Sequence, residues 1–296
     1  MKKGKIIEGL YADPDIAFFG GKTYIYPTTD GFRDWSGTEF YVFVSEDLET
    51  FTRGERLLDL AGKEVPWAVG SAWAPCIARR DDKYYFYFCG KRPDGVSAIG
   101  TAWSEAPEGP FQAENWPMLT MEMMEERNIK IGQVIDPSIF KEDGTYWIVF
   151  GNGHPVIAQL TEDMRHIIPE TMKNIEGAFD FCEAMTILKR GDLYHFTWSC
   201  NDTRSEDYHV NYGISRNLYG PVSFQYTILQ KCPEKGYLGC GHHAIAKVPG
   251  EDRYIIVYHR FGTPLEKYRN MEGYCREICM AELKFGEDGR ILPVEL

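Results

Sequence analysis

The sequence predicts an all-β protein, a single five-bladed β-propeller of four-stranded blades that spans residues 1–296. Three observations lead there. Aromatic residues make up 14% of the chain and include 18 tyrosines and 17 phenylalanines, which suit pleated strands. Helix signals are sparse. Most importantly, one hairpin pattern recurs five times at near-regular spacing, the mark of a repeat architecture.

The five segments can be taken in order. They are ADPDIAFFGGKTYIYP from Ala12, WAPCIARRDDKYYFYF from Trp73, IDPSIFKEDGTYWIVFG from Ile135, CEAMTILKRGDLYHFTWS from Cys182 and GHHAIAKVPGEDRYIIVYH from Gly241. Each opens on a short polar or proline-containing stretch, continues as an apolar run, turns tightly and returns as an aromatic-rich strand. The turns FGGK, RDDK, KEDG, KRGD and PGED carry the Gly and Asp chemistry of hairpins. From Asp13 to Ala74 is 61 residues, to Asp136 a further 62, to Glu183 47 and to His242 59. Units of that length match a four-stranded propeller blade, and five nearly exhaust the chain. A two-sheet sandwich is the competing architecture. The strongest helix signal, around Glu122 to Asn128 (MEMMEERN), reads as a short helix on a connecting loop.

Composition excludes several classes of function. The 296 residues, 44% hydrophobic and 26% charged, are ample for a buried core. A net charge of −12 opposes binding to a phosphate backbone, so no nucleic-acid partner is expected. No run approaches the roughly 18 apolar residues of a membrane span. The opening MKKGKIIEGLYADPDIAFFGGK lacks a signal-peptide core, and the eight scattered cysteines read as reduced thiols, so the expected compartment is the cytoplasm.

In a propeller the first strand of each blade lines the central channel, so equivalent residues converge at one mouth. Alignment on Ile16, Ile77, Ile139, Ile187 and Ile245 places Asp13, Ala74, Asp136 and His242 at one position, with Glu183 one residue further out. A single Asp-Pro is also ordinary turn chemistry. Three carboxylates from three blades at one mouth point instead to catalysis, because crowding of like charges in a partly dry pocket separates their pKa values. Cleavage of a glycosidic bond by two carboxyl groups needs such a separation.

The segments YADPDIAFF, SAWAPCIA, IDPSIF, CEAMTI and GCGHHAIA, followed by YIIVYHRF and YCREICMAELKFGEDGRILPV, resemble glycoside hydrolase family 43 over essentially the whole chain. The resemblance implies a five-bladed propeller that cleaves mainly arabinofuranosyl and xylosyl linkages with inversion. It assigns Asp13 as general base, Asp136 as the ionised group that tunes the acid and holds the sugar, and Glu183 as general acid. Inversion implies carboxyl groups roughly 6.5–9.5 Å apart. One departure is Ala184, where family members usually have Gly-Pro, and Asp180 is the nearby competitor for the acid.

Other positions carry two readings each. Trp73 stands at the channel end of blade two, to stack on a sugar or to fill the core. Arg260 in YHRF resembles the arginine that contacts the sugar in the family; otherwise it is a solvated strand end. Phe32 and Trp35, in the DGFRDWSG loop, are expected on the pocket rim. Arg276 in CREIC fits a structural salt bridge equally well. The resemblance also implies a hydrated calcium ion in the channel, matched to His242. Acid–base chemistry itself requires no cofactor.

The expected activity is exo-acting release of terminal α-L-arabinofuranosyl residues from small oligosaccharides, with β-xylosidase close behind. The segment from Ala113 to Gln133 is expected to wall the pocket. Three alternatives differ in class: a retaining fructosidase-like hydrolase, a phosphorylase needing a basic cluster, and a propeller that only binds carbohydrate or protein.

Overall fold

The computed structural model describes residues 4–268 and 270–296. Five four-stranded antiparallel sheets account for the strands. Their innermost strands are Tyr11–Phe19, Gly70–Arg80, Ser138–Glu142, Glu183–Arg190 and Gly241–Lys247. Each touches the next, and the inner strand of blade 5 packs on that of blade 1, which closes the ring.

The hairpins form where the turn chemistry placed them. Gly20 and Gly21 (φ 56° and 81°) make the two-residue turn between Phe19 and Lys22, a conformation that glycine adopts without steric cost. Three other blades also turn in two residues, whereas PGED lies in a longer loop between Lys247 and Tyr254. The short helix forms over Met121–Glu126 and buries Met124 in the core. The segment around it is thus anchored by packing.

Ring closure was not visible in the repeat pattern. Blade 5 contains three strands from the C-terminal region, and its fourth is Gly4–Lys5, paired with Met280 and Cys279. Ile6 N–H extends the ladder to Ile278 O at 3.0 Å. The two chain ends therefore share one sheet, and opening the ring would require breaking that pairing.

The alignment on isoleucines has a direct structural counterpart. All five line one cavity along the propeller axis, about 140 Å³ in volume. Three residues before each isoleucine the backbone turns left-handed: Asp13 (φ 47°), Ala74 (38°), Asp136 (60°), Ala184 (56°) and His242 (40°). Such conformations cost non-glycine residues on the order of 1–3 kcal/mol each and persist only where surrounding structure enforces them. Strand pairing is correspondingly irregular between Ala12 and Asp15, between Glu183 and Thr186, and between Gly241 and Ala244. This repeated kink breaks strand alternation at the channel mouth and redirects the preceding side chains.

Candidate active site

A pocket of about 270 Å³ opens at this mouth. The structure brings Asp13, Asp136, Glu183, His242, Trp35 and Trp73 together in its lining. Asp180 is not among these residues; the fourth-blade carboxyls that line the pocket are Glu183 and, on the rim, Asp202. In blade 4 the left-handed residue is Ala184, so Glu183 occupies the step before the kink, whereas Asp13 and Asp136 occupy the kink itself.

Asp13 is buried among nitrogen groups, and its own N–H donates to His259 Nδ1 at 3.3 Å. Arg276 Nη1 donates to its Oδ1 at 2.8 Å, and His259 Nδ1 and His242 Nδ1 lie 3.0 and 3.3 Å from the same oxygen. Burial alone would raise this carboxyl. The Arg276 guanidinium overcomes it and holds Asp13 well below the usual carboxylate range. Burial keeps both imidazoles neutral, with His242 lowered to about 4, so Arg276 is the permanent cation here. Arg276 is itself fixed by Asp30, which accepts from its Nε at 2.9 Å and its Nη2 at 3.2 Å.

Glu183 has a different environment. Its Oε1 accepts from Tyr208 OH at 2.7 Å, and its Oε2 from Asn152 Nδ2 at 3.1 Å. Burial raises its pKa despite the Tyr208 hydrogen bond, and the charge of Asp13 adds to the rise. Asp136, whose N–H donates to Cys89 Sγ at 3.1 Å, is raised more strongly, by burial and then by Glu183. Carboxylate oxygens of Asp136 and Glu183 lie within 4.8 Å of each other. The two are coupled, and burial together with their proximity favours a shared proton. Where the sequence suggests an ionised Asp136 acting on a separate Glu183, the structure places two adjacent buried carboxyls, and burial penalises charge on both.

Tyr208 and His259 were not singled out from sequence. Their rings stack at 5.5 Å and 6° interplanar angle, joining the partner of Glu183 to the partner of Asp13. Both are fully buried, and His259 Nε2 has no hydrogen-bond partner among the described residues. Gly241 makes the stack possible: a Cβ there would sit 2.2 Å from the Tyr208 ring. The GCG that precedes the two histidines was the available signal.

The rim is tied across blades. Trp73 Nε1 donates to Trp35 O at 2.7 Å, Trp35 Nε1 donates to Gly273 O at 2.5 Å, and the Arg204 guanidinium lies over the Trp35 ring. Gln133, at the end of the segment expected to wall the pocket, does line it. Phe32 is half exposed and outside the lining, packed near Gly37.

Arg260 is not brought to the pocket. Its Nε donates to Glu277 Oε1 at 2.9 Å, and its guanidinium covers the Tyr237 ring at 4.1 Å. Arg276 takes the pocket position instead. The reason is strand parity: Arg260 pairs with Glu277 while Arg276 pairs with Phe261, so the two arginines point to opposite faces of blade 5.

The channel beneath tests the fit of a calcium ion. Asp15 lines it, but its carboxylate already accepts from Ile16 N–H at 2.9 Å and Ile77 N–H at 2.8 Å. His242 and His243 contribute nitrogen rather than oxygen. The cavity has room for an ion with several waters, so the residues fit a mostly hydrated calcium and not a protein-caged one.

Comparison with known proteins agrees with this geometry. The profile of glycosyl hydrolases family 43 matches residues 4–291. A β-D-galactofuranosidase of Aspergillus niger is 29% identical, the match covering 98% of this chain and 84% of that protein. A xylosidase/arabinosidase of Bacteroides ovatus is 27% identical over 99% and 98% of the two chains. Among solved structures, a β-xylosidase/α-arabinofuranosidase from a compost metagenome, in a calcium-free form with xylotriose, superposes with a TM-score of 0.79. It is 26% identical and covers 98% of this chain and 96% of its own. With a five-bladed propeller, a carboxyl-lined pocket at its axis and a family match over nearly the whole chain, this protein belongs to glycosyl hydrolases family 43 and is a glycoside hydrolase.

Proposed function

We propose that this enzyme is an inverting, exo-acting hydrolase that releases terminal α-L-arabinofuranosyl residues from short oligosaccharides. The observation that carries the reading is the asymmetry of the carboxyls in one small pocket: Asp13 bonded to Arg276 and shifted below its ordinary pKa, Glu183 and Asp136 buried side by side and shifted above theirs. In a single displacement, water attacks the anomeric carbon and gives its proton to Asp13. The glycosidic C–O bond breaks as Glu183 protonates the leaving oxygen. Each of these two roles is commonly worth about 10²–10⁴ in rate.

Asp13 is a weak base while Arg276 is bonded to it. Sugar hydroxyls that take up Arg276 N–H groups would loosen that pair and raise the basicity of Asp13 when substrate is in place. Asp136, buried beside Glu183, opposes ionisation of the acid and so helps keep its proton available. A calcium ion in the channel, held through His242 and water, would supply positive charge beneath the carboxyls.

Two features support exo action on a furanoside. The pocket is small for a ligand site, just below the roughly 300–1,000 Å³ range, and loops from blades 1, 2 and 5 are stitched together around it. The relatives named for galactofuranose and arabinose also share a sugar geometry, since β-D-galactofuranose repeats the ring configuration of α-L-arabinofuranose. The second reading is β-xylosidase action in the same pocket, supported by the xylosidase/arabinosidase relative.

The test is hydrolysis of aryl α-L-arabinofuranoside, aryl β-D-xyloside and aryl β-D-galactofuranoside, with Glu183→Ala as control. Fastest release from the arabinofuranoside, lost in the variant, is expected. A faster xyloside would install the second reading. Unchanged turnover in Glu183→Ala would remove it as the acid.

A further inference from the structure

We propose that Asp180, Cys200 and His209 form a binding site for a thiophilic divalent cation of the zinc type, separate from the carboxyl pocket and from the axial channel. A carboxylate oxygen, the thiol sulfur and an imidazole nitrogen of these residues all lie within 4.8 Å of one another. Tetrahedral zinc, with bonds of about 2.0–2.3 Å, needs such atoms roughly 3.3–3.8 Å apart, a separation that small side-chain rotations reach. Three protein ligands leave a fourth position for water.

The backbone holds two of the ligands in place. Cys200 ends one strand of blade 4 and His209 begins the next, and they are direct cross-strand partners. Asp180 comes from the connection that leads into Glu183, in a left-handed conformation (φ 57°). Being exposed, it also provides the path by which an ion enters.

The surroundings of each ligand favour a metal. His209 Nδ1 lies 2.7 Å from Asp207 O and donates there, which fixes the tautomer and leaves Nε2 with a lone pair. Asn211 Oδ1 accepts from Thr227 Oγ1 at 2.7 Å, so its amide NH₂ is free to approach the Cys200 sulfur. N–H groups directed at sulfur stabilise a thiolate. Burial by itself keeps Cys200 protonated, with its pKa raised to about 12, so a cation would have to displace that proton on binding.

The placement gives the site a consequence. Cys200 and His209 are the two ends of the 201–208 loop, which carries Asp202, Thr203 and Arg204 of the pocket rim and ends in Tyr208, the hydrogen-bond partner of Glu183. Asp180 lies three residues before Glu183 itself. A bound ion would clamp the rim loop to the segment bearing the carboxyl group. It would order that side of the pocket without touching substrate.

The experiment is titration of chelator-treated, chelator-freed protein with Co²⁺, read by the thiolate-to-cobalt charge-transfer band, followed by competition with Zn²⁺ and with Ca²⁺. One equivalent should give the band; Zn²⁺ should abolish it and Ca²⁺ should not. Cys200→Ser and His209→Ala should each lose it, and Asp180→Ala should weaken cobalt binding by tenfold or more. His209 is half-buried at a strand end, so its variant reports on the site even if Cys200→Ser fails to fold. Zn²⁺ should raise the Tm of the wild type and leave that of His209→Ala unchanged. Absence of the band, or a band of equal strength in His209→Ala, would overturn the assignment.

Discussion

The base side and the acid side of the pocket are built at the same depth and on the same repeat, yet their pKa values are shifted in opposite directions. Asp13 and Asp136 are both aspartates three residues before a channel isoleucine, both left-handed and both buried. Asp13 has Arg276 at 2.8 Å and falls well below its ordinary pKa, whereas Asp136 has Glu183 as its neighbour and rises well above it. Residue type and burial are matched, so the neighbours decide. A propeller supplies equivalent positions, and the chemistry arises from making their surroundings unequal.

The largest effects should come from removing either side. Asp13→Asn and Glu183→Gln are each expected to lower kcat by about 10²–10⁴. An aryl substrate with a very good leaving group separates them: it should restore much of the Glu183→Gln rate, because the leaving oxygen then needs no acid, and little of the Asp13→Asn rate. Equal rescue of both variants would break the assignment of roles.

Arg276→Met tests what makes the base side different. It leaves Asp13 and Asp30 buried without their cation, a situation that typically costs about 3–5 kcal/mol, and chemical denaturation would register the loss. In the folded fraction the pKa of Asp13 should rise, moving the acidic limb of the kcat/KM profile to higher pH.

Tyr208→Phe acts on the other side with a smaller effect. The phenol donates to Glu183 and favours its ionised form, so its loss should raise the pKa of the acid and move the alkaline limb to higher pH. A hydrogen bond to a charged group is worth about 1.5–3 kcal/mol, and the accompanying loss of positioning should lower kcat by about tenfold. A fall in kcat with no movement of the alkaline limb would mean that Tyr208 only packs. Smallest of all should be the effect of Arg260→Ala on turnover. Its guanidinium is engaged with Glu277 and Tyr237, so kcat and KM should stay within about twofold even if stability falls.

How much of this was legible in the sequence follows from the range of the interactions involved. The five hairpins and the channel isoleucines could be read because turn chemistry and strand alternation are local, and the three carboxyls followed from their place in the repeat. Ring closure by Gly4–Lys5 was hidden, since a two-residue strand has no pattern of its own. The choice of Arg260 over Arg276 failed on parity: which face of blade 5 meets the pocket depends on a register that the sequence does not display. His259 and Tyr208 lie 51 residues apart and meet only through the stack over Gly241, whose GCG context marks a close approach but not the residues that make it.

The central claim is the opposite protonation of two buried carboxyls, and a ¹³C NMR titration of Asp13 and Glu183 in the wild-type enzyme tests it most directly. The account predicts that Asp13 is still ionised below pH 3.8 and that Glu183, coupled to Asp136, keeps its proton above pH 4.5. Activity should then survive acidification and decline as rising pH strips the acid. Ordinary titration of both groups, or an Asp13 that protonates before Glu183 as the pH falls, would contradict it.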